Sequence, residues 1–316
     1  MKLGISSYCL APYMATGQMT IFDVIDWAKD HDCEHIEFVP FYLPFVDEQN
    51  HCLNTELIDK VREHCKKVGL EISTYSVNAD LLKTDPAERQ AEIDRVKLHI
   101  DAAARLGISW MRHDIASFRR PFSTNTLHNF NLELPLMIEG TRTLCDYALS
   151  LGINTTLENH GFFCNGSDRV LRIFEALERP NMKMTMDVGN FLCVDEYNIA
   201  AVKKCLPLAQ IIHLKDFYIR TKEQLPSQTE MFNCNNGSWF ETLGGQMIRG
   251  AITGQGDLPI PAIIQYIKES GYDGYVSIEF EGMEPCDRGT EISLNMARAF
   301  FGRATGKQST PEMKWT

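Results

Sequence analysis

The segment Leu151-Gly152-Ile153-Asn154-Thr155-Thr156-Leu157-Glu158 contains the pattern that decides the fold. Glycine just past a helix adopts a left-handed conformation at little cost, and the apolar residue after it starts a strand. The same phrase recurs as Val68-Gly69-Leu70, Leu106-Gly107-Ile108 and Ser270-Gly271-Tyr272. Because short strand-like runs alternate with helical runs, the pattern indicates β/α units that form a parallel sheet.

Eight such units can be counted along the chain. The predicted strands are 3–8, 35–39, 70–77, 108–113, 153–158, 182–187, 210–215 and 275–281. The predicted helices include 20–30, 55–67, 86–106, 136–151, 168–177, 198–205, 261–270 and 291–300. The absence of a G-x-G-x-x-G motif after the first strand disfavours an open doubly wound sheet, and eight units favour closure. We therefore predict one α/β domain over 1–316, a (β/α)8 TIM barrel.

The spacing of the units has one irregularity, a long interval after the seventh strand. We predict an inserted loop at 217–258, which contains Asn233-Cys234-Asn235-Asn236-Gly237 and Gly254-Gln255-Gly256. Long loops in compact domains are usually functional. Because this loop leaves the catalytic face, we expect a lid or a subunit contact, with a plain surface insertion as the alternative.

Composition excludes several classes of protein. The net charge of −11 argues against nucleic acid as a partner, because phosphate binding needs clustered Lys and Arg. The ten cysteines include no C-x-x-C pair, which is typical of reduced thiols and predicts a cytoplasmic location. Neither a signal-peptide pattern nor a run of about 18 apolar residues is seen, so we expect neither export nor a membrane partner.

Four predicted strands carry, at or near their carboxyl ends, a side chain that can bind a metal: Glu158, Asp187, His213 and Glu279. The carboxyl ends of barrel strands carry the catalytic groups, so these four side chains can converge. Each has an ordinary explanation alone, as a helix cap, a core histidine or a structural ion pair. Three converging acids would repel one another without a cation. Carboxylates with one imidazole predict Mn²⁺, with Mg²⁺, Co²⁺, Fe²⁺ and Zn²⁺ as alternatives.

The sequence segments around these residues resemble those of a known family. They are Leu157-Glu158-Asn159-His160, Met186-Asp187-Val188-Gly189-Asn190, His213-Leu214-Lys215-Asp216, Gly254-Gln255-Gly256-Asp257 and Ile278-Glu279. They are similar to the sugar phosphate isomerase/epimerase family with a xylose-isomerase-like TIM barrel, whose relatives include ketose 3-epimerases and inosose dehydratase. The resemblance implies that Glu158, Asp187, His213 and Glu279 bind the metal, and that Glu158 and Glu279 are also catalytic.

The resemblance implies a metal-dependent isomerase or epimerase that transfers a proton beside a carbonyl through an enediolate. The alternative is a metal-dependent lyase or dehydratase on a keto-sugar, inosose or 3-keto-glycoside. Ketose 3-epimerases have a histidine where this chain has Asn190, which weakens that narrower assignment. An endonuclease would need more metal-binding histidines, and a sugar sensor would not explain the acidic cluster.

Further polar residues near the strand ends are candidate substrate contacts, with structural pairing as the alternative for each. They are Glu37, Tyr75, His113, His160, Asn190 and Lys215, with Arg112 beside His113. Candidate apolar walls, with local loop packing as an equal alternative, are Phe41, Tyr42, Phe45, Phe162 and Phe163. No phosphate-binding loop is found, so we expect an unphosphorylated sugar or sugar derivative as the small-molecule partner. A homo-oligomer that pairs through the catalytic-face loops is also expected from the resemblance.

Overall fold

In the computed structural model, which describes residues 1–225 and 238–304, eight parallel strands close into a barrel. The strands are Lys2–Ser6, His35–Phe38, Glu71–Val77, Trp110–His113, Asn154–Glu158, Met182–Asp187, Ala209–Leu214 and Tyr275–Ile278. Each strand pairs with its neighbour in the chain, and the first strand pairs with the eighth, so the sheet has no free edge. The predicted (β/α)8 barrel is confirmed.

Helices surround the barrel. They are Ile21–Asp30, Thr55–Val68, Pro86–Leu106, Leu127–Ser150, Ser167–Leu177, Asn198–Cys205, Ile260–Glu269 and Cys286–Phe301, with a short helix at Ala11–Ala15. Short 3-10 turns lie at Ser7–Leu10, Phe122–Thr124, Asn190–Val194, Leu206–Leu208 and Lys222–Gln224. The glycines of the repeated phrase have positive φ angles as predicted, 69° at Gly69, 76° at Gly107, 74° at Gly152 and 72° at Gly271.

One helix is longer than the sequence pattern predicts. The prediction places its start at 136, after Pro135, whereas the helix begins at Leu127 and contains Pro135. The Thr126 side chain caps it by accepting from the Asn129 amide at 3.1 Å. Proline costs an interior helix a hydrogen bond, but the buried face, with Phe130 among its residues, keeps this helix on the core.

The barrel interior is polar, and the apolar core lies between the strands and the helices. Alternation along each strand produces this division. On the second strand, Ile36 is fully buried in the core, whereas the Glu37 carboxylate meets Ser76 and Ser277 inside the barrel. Thr156 likewise contacts another polar strand residue, Thr185, at 2.7 Å between hydroxyl oxygens. The interior therefore provides fixed polar partners for the groups at the strand ends.

The predicted insertion contains an antiparallel sheet of the strands Asp216–Arg220, Phe240–Glu241 and Met247–Ala251. The first of these continues directly from the seventh barrel strand. The Asp216 carboxylate accepts hydrogen bonds from the amides of Gly254 and Gly256, both at 2.9 Å, and of Leu258 at 3.2 Å. This carboxylate therefore joins the beginning of the insertion to its end. Residues 233–237, which carry the Asn-Cys-Asn-Asn-Gly motif, lie outside the described residues.

A second, smaller hairpin, Val46–Asp47 with Cys52–Leu53, follows the second barrel strand. The nine cysteines in the described ranges are free thiols, and eight of them are buried. Within those ranges, no helix combines the length and the apolar character needed to cross a membrane.

Candidate metal centre

The four strand-end residues meet at the carboxyl side of the barrel. One potential ligand atom from each of Glu158, Asp187, His213 and Glu279 lies within 4.8 Å of the others. Glu158 and Asp187 are the last residues of the fifth and sixth strands, His213 is next to last in the seventh, and Glu279 directly follows the eighth. Regular strand ends at one side of the sheet bring these residues together, as the sequence predicts.

Glu158 is held from two sides. The Arg112 guanidinium Nε lies 3.0 Å from Oε2, and the Asn190 amide donates to Oε1 at 3.0 Å. Burial disfavours the ionised carboxylate, but Arg112 and His213 outweigh burial and hold the pKa of Glu158 well below its ordinary value. Both oxygens of Glu158 are thus oriented by neighbours, and the residue stays an anion across the neutral range.

Asp187 is oriented by backbone amides on one side only. Its Oδ1 accepts from the amides of Gly189 at 2.7 Å and Asn190 at 2.9 Å. Its Oδ2 lies 3.4 Å from Lys215 Nζ and has no hydrogen-bond partner among the described residues. Burial raises the pKa of Asp187 to about 7; Lys215 opposes this rise, and the carboxylates of Glu279 and Glu158 add to it. A divalent cation beside Oδ2 would favour the ionised form.

His213 presents one ring nitrogen to each side of the site. Its Nε2 lies 2.8 Å from the carboxylate of Glu37. Its Nδ1 lies 3.7 Å from oxygens of both Glu158 and Glu279 and has no hydrogen-bond partner in the described ranges. The Nδ1 atom is therefore placed among the acidic side chains.

Glu279 has lysine as its cationic partner. Lys215 Nζ lies 2.6 Å from Glu279 Oε2, and it also lies 3.6 Å from Glu281 Oε2. Burial raises the pKa of the Glu279 carboxyl, but Lys215 and His213 outweigh burial and leave it below its ordinary value. The ammonium is itself buried, so its charge is neutralised by several carboxylates rather than by water.

The residues present fit a divalent cation. Asp187 Oδ2 and His213 Nδ1 are buried atoms without hydrogen-bond partners in the described residues, and such atoms in a native site call for a ligand or ion. Three carboxylates and one imidazole suit Mn²⁺ and related ions. Glu158, Asp187, His213 and Glu279 are the residues that would hold the cation.

The structure places Lys215, Asn190 and Glu37 in contact with these four residues, as described above. His160 lies nearby: its Nδ1 is 3.0 Å from Asp114 Oδ2, and its ring is 5.3 Å from that of Phe118. With 26% of its side chain exposed, His160 reaches the open side of the site.

Tyr75 and His113 are not brought to the cluster. The Tyr75 hydroxyl lies 2.9 Å from Nδ1 of His99, which belongs to the helix Pro86–Leu106. His113 is fully buried, with Nδ1 2.9 Å from the Asp114 carbonyl. Because side chains alternate along a strand, these two residues face the helices while Arg112 faces inward.

Sequence reasoning gave too little weight to Arg112 and missed Asp114 and Glu281. Arg112 contacts Asp114 at 2.6 Å, and Glu281 contacts Lys215. The signal was present, because Asp114 lies two residues after Arg112 and Glu281 two residues after Glu279, on the same side of an extended chain.

The predicted apolar walls divide into two groups. Phe41 and Tyr42 are exposed, 43% and 58%, and remain available at the surface. Phe45 and Phe163 are buried in the core, which agrees with the alternative of local loop packing and not with lining a sugar site. Phe162 is partly buried and packs on Phe122 with ring centroids 4.5 Å apart. An aromatic residue in a catalytic-side loop can complete the core as readily as it can line a pocket.

Comparison with known structures finds this fold in enzymes of different reaction types. A D-psicose 3-epimerase determined with D-fructose matches with a TM-score of 0.67 and 16% identity, over 96% of this chain and 100% of that one. A probable 3-DHS dehydratase from Bacillus anthracis matches with a TM-score of 0.70 and 16% identity, over 94% and 98%. A 3-keto-D-glucoside 4-epimerase from E. coli matches with a TM-score of 0.65 and 14% identity, over 95% and 99%. At sequence identities this low, the similarity between this chain and the three structures shows a shared fold only.

Comparison with curated protein sequences finds no match. The model of a protein family, the xylose isomerase-like TIM barrel, matches residues 25–300. That range contains seven of the eight barrel strands and all four residues of the candidate metal centre. The chain belongs to the family of xylose isomerase-like TIM barrels.

Proposed function

We propose that this protein is a divalent-metal-dependent sugar isomerase or epimerase that transfers a proton at a carbon beside a carbonyl. The observation that carries the proposal is the placement of two glutamates around one imidazole nitrogen. Glu158 and Glu279 each lie 3.7 Å from Nδ1 of His213, and each has its own cationic partner. The solved structures of similar fold include two epimerases, which agrees with this reaction class.

In the proposed reaction, the cation and the side chains of the site have different roles. Mn²⁺, the cation we propose, would supply polarisation of a substrate carbonyl and stabilisation of the enediolate that follows proton loss. Glu158 and Glu279 would take and return the carbon-bound proton, and such a positioned group is typically worth about 10² to 10⁴ in rate. Lys215 and Asn190, which already contact these carboxylates, would hold substrate oxygens.

The route of the returning proton decides the product. A proton removed on one face of the sugar and returned on the other gives an epimer. A proton returned to the neighbouring carbon converts a ketose to an aldose. Because Asn190 carries no proton that titrates near neutral pH, it can orient a hydroxyl but cannot act as a third acid or base.

The substrate we propose is an uncharged sugar. The cations that contact the cluster in the described part of the chain are already paired: Arg112 with Glu158 and Asp114, and Lys215 with Glu279 and other carboxylates. A phosphate ester would have to displace one of these buried pairs, and like charges brought together cost several kcal/mol. Hydroxyl groups can instead be accommodated as donors to the carboxylates.

A lyase acting on a keto-sugar, inosose or 3-keto-glycoside is the second candidate. The observation that favours it is His160, which is held by Asp114 and partly exposed at the open side of the site. Burial lowers the pKa of His160, but the Asp114 carboxylate outweighs burial and leaves the pKa raised. A protonated imidazole there could donate to a departing hydroxyl or glycosidic oxygen.

An isotope experiment separates the two candidates. The Mn²⁺-loaded protein is incubated in D₂O with ketoses, inososes and 3-keto-glycosides, and the sugars are followed by NMR. We expect deuterium at a carbon beside the carbonyl with the skeleton retained. Loss of water or of the glycosidic group would instead support the lyase. If the Asp187→Ala variant exchanges deuterium as fast as the unaltered protein, the metal-dependent mechanism is wrong.

A further inference from the structure

Glu37 is placed where substrate cannot reach it. It lies in the second strand, and its side chain is 0% exposed. Its Oε2 lies 2.8 Å from His213 Nε2, on the side of the imidazole away from the carboxylate cluster. The sequence predicts Glu37 as a substrate contact, but the structure gives it a different neighbour.

We propose that Glu37 is a positioning residue that fixes the tautomer and ring orientation of His213, so that the Nδ1 lone pair is directed at the cation. The inference rests on the metal site of the proposed function. It adds to that function a specific assignment, namely which ring nitrogen binds the metal and which residue decides this.

The assignment follows from the two nitrogens of imidazole. A neutral ring carries one N–H donor and one acceptor nitrogen, whereas a carboxylate can only accept. With Glu37 as the partner at 2.8 Å, Nε2 must be the donor of His213. Nδ1 is then the unprotonated nitrogen of the neutral ring, and it is the atom that faces Glu158 and Glu279. Metal-binding histidines in general use such a carboxylate to set tautomer and orientation.

Glu37 is itself fixed by two serines on other strands. Ser76 of the third strand donates to Oε1 at 2.7 Å, and Ser277 of the eighth donates to Oε2 at 3.2 Å. The carboxylate therefore bridges the barrel interior, and it cannot rotate without losing these hydrogen bonds. A rigid acceptor below His213 restricts the ring to one orientation.

The chain contains a second buried histidine with a glutamate partner, and the difference is informative. His99 Nε2 lies 3.1 Å from Glu48, but its Nδ1 is engaged by the Tyr75 hydroxyl at 2.9 Å. Both nitrogens of His99 are therefore used within the protein. In His213 only Nε2 has a protein partner, since Nδ1 lacks a hydrogen bond among the described residues. Glu48 thus provides a matched control for Glu37.

The test is a calorimetric titration of the full-length, metal-free protein with Mn²⁺. Replacing a residue that orients a metal ligand typically lowers affinity about 10- to 100-fold, and we expect Glu37→Gln to do so. Ser277→Ala removes only one hydrogen bond to Glu37, and it should weaken Mn²⁺ binding a few-fold in a protein that remains folded. Glu48→Gln should leave Mn²⁺ affinity unchanged. If Glu37→Gln and Ser277→Ala both bind like the unaltered protein, the inference is wrong.

Nitrogen NMR of the histidines gives a readout independent of activity. In the Zn²⁺-loaded protein labelled with ¹⁵N, we expect the His213 spectrum of a ring bound through Nδ1 and protonated at Nε2. Binding through Nε2 would overturn the inference. Failure of the proposed function can be told apart from failure of this inference. A protein that shows this NMR pattern but exchanges no deuterium into any sugar refutes the proposed reaction, and the role of Glu37 still stands.

Discussion

The two glutamates of the cluster look equivalent in the sequence, but their surroundings differ. Glu158 pairs with Arg112, whose guanidinium remains protonated at any relevant pH. Glu279 pairs with Lys215; burial lowers the pKa of this lysine, but the surrounding carboxylates outweigh burial and raise the pKa well above its ordinary value, so this ammonium also keeps its proton. Both cations therefore carry a fixed charge, and the two sides differ in geometry: the planar guanidinium holds Glu158 and Asp114 together, whereas the single ammonium is shared among several carboxylates.

The pKa directions separate Asp187 from the two glutamates, since the pKa of Glu279, like that of Glu158, lies below its ordinary value. The pKa of Glu158 is held well below its ordinary value, whereas the pKa of Asp187, which lies beside Lys215, rises to about 7. Both residues are fully buried, so burial alone does not distinguish them. The two residues are distinguished by the nature of their cationic neighbours and by the distances to them.

The largest effect is expected when the charge of each of the two glutamates is removed in turn, which tests the comparison between them most directly. We expect Glu279→Gln and Glu158→Gln each to lower kcat about 10²- to 10⁴-fold, because each removes one proton-transfer group. Steady-state kinetics on a deuterium-exchanging sugar measures the loss. Measuring Mn²⁺ affinity alongside separates lost proton transfer from lost metal. Full turnover by either metal-loaded variant would contradict its acid or base role.

A smaller effect should follow from exchanging the cation on the Glu158 side. Arg112→Lys keeps the charge but removes the planar group that contacts Glu158 and Asp114 together. We expect Mn²⁺ affinity to fall about 10-fold, at the lower end for a residue that orients a ligand. Arg95→Lys is the control, since Arg95 pairs with Glu92 and Glu48 outside the site. Equal affinities for the Arg112→Lys and unaltered proteins would mean that charge alone orients Glu158.

The most gradual effect concerns pH. A carboxyl group with a raised pKa is protonated below about pH 7, so Mn²⁺ must displace a proton from Asp187. Burial lowers the pKa of His213, but the surrounding glutamates outweigh burial and raise it, so a second proton must leave. Affinity should fall about tenfold per pH unit for each proton displaced as pH decreases from 7 to 5. Titrations at several pH values check this; a flat profile would place the exchangeable protons elsewhere.

In the metal-free protein, the pKa of Asp187 also determines how the stability of the fold depends on pH. Because the folded pKa of Asp187 exceeds its ordinary value of 3.8, this residue contributes stability at low pH. The contribution is lost as pH rises through about 7. Saturating Mn²⁺ should reverse the trend for this residue, because bound cation favours the ionised carboxylate.

The barrel and the convergence of the four cluster residues were predictable because both depend on local patterns. Helix-ending glycines such as Gly152 mark four of the eight units, and parallel strand ends lie at one side of the sheet. The pairing of Glu37 with His213 was not predictable in this way, since it joins residues 176 apart across the barrel interior. Tyr75 and His113 lie toward the helices because alternation along each strand directs Ser76 and Arg112 inward, and the sequence pattern does not show which of two neighbouring residues faces inward.

The carboxylate of Asp216 has a consequence for how this barrel can vary. By binding the amides of Gly254 and Gly256, it closes the insertion at its base, a few residues from His213 and Lys215. Gly250 supports the same base, because a Cβ there would collide with the Glu281 carbonyl oxygen. Because this closure depends on residues at the base, we expect the outer part of the insertion to tolerate changes in length or composition without moving the cluster. If the proposed function holds, a change of substrate can arise in the outer part of the insertion while the cluster stays as it is.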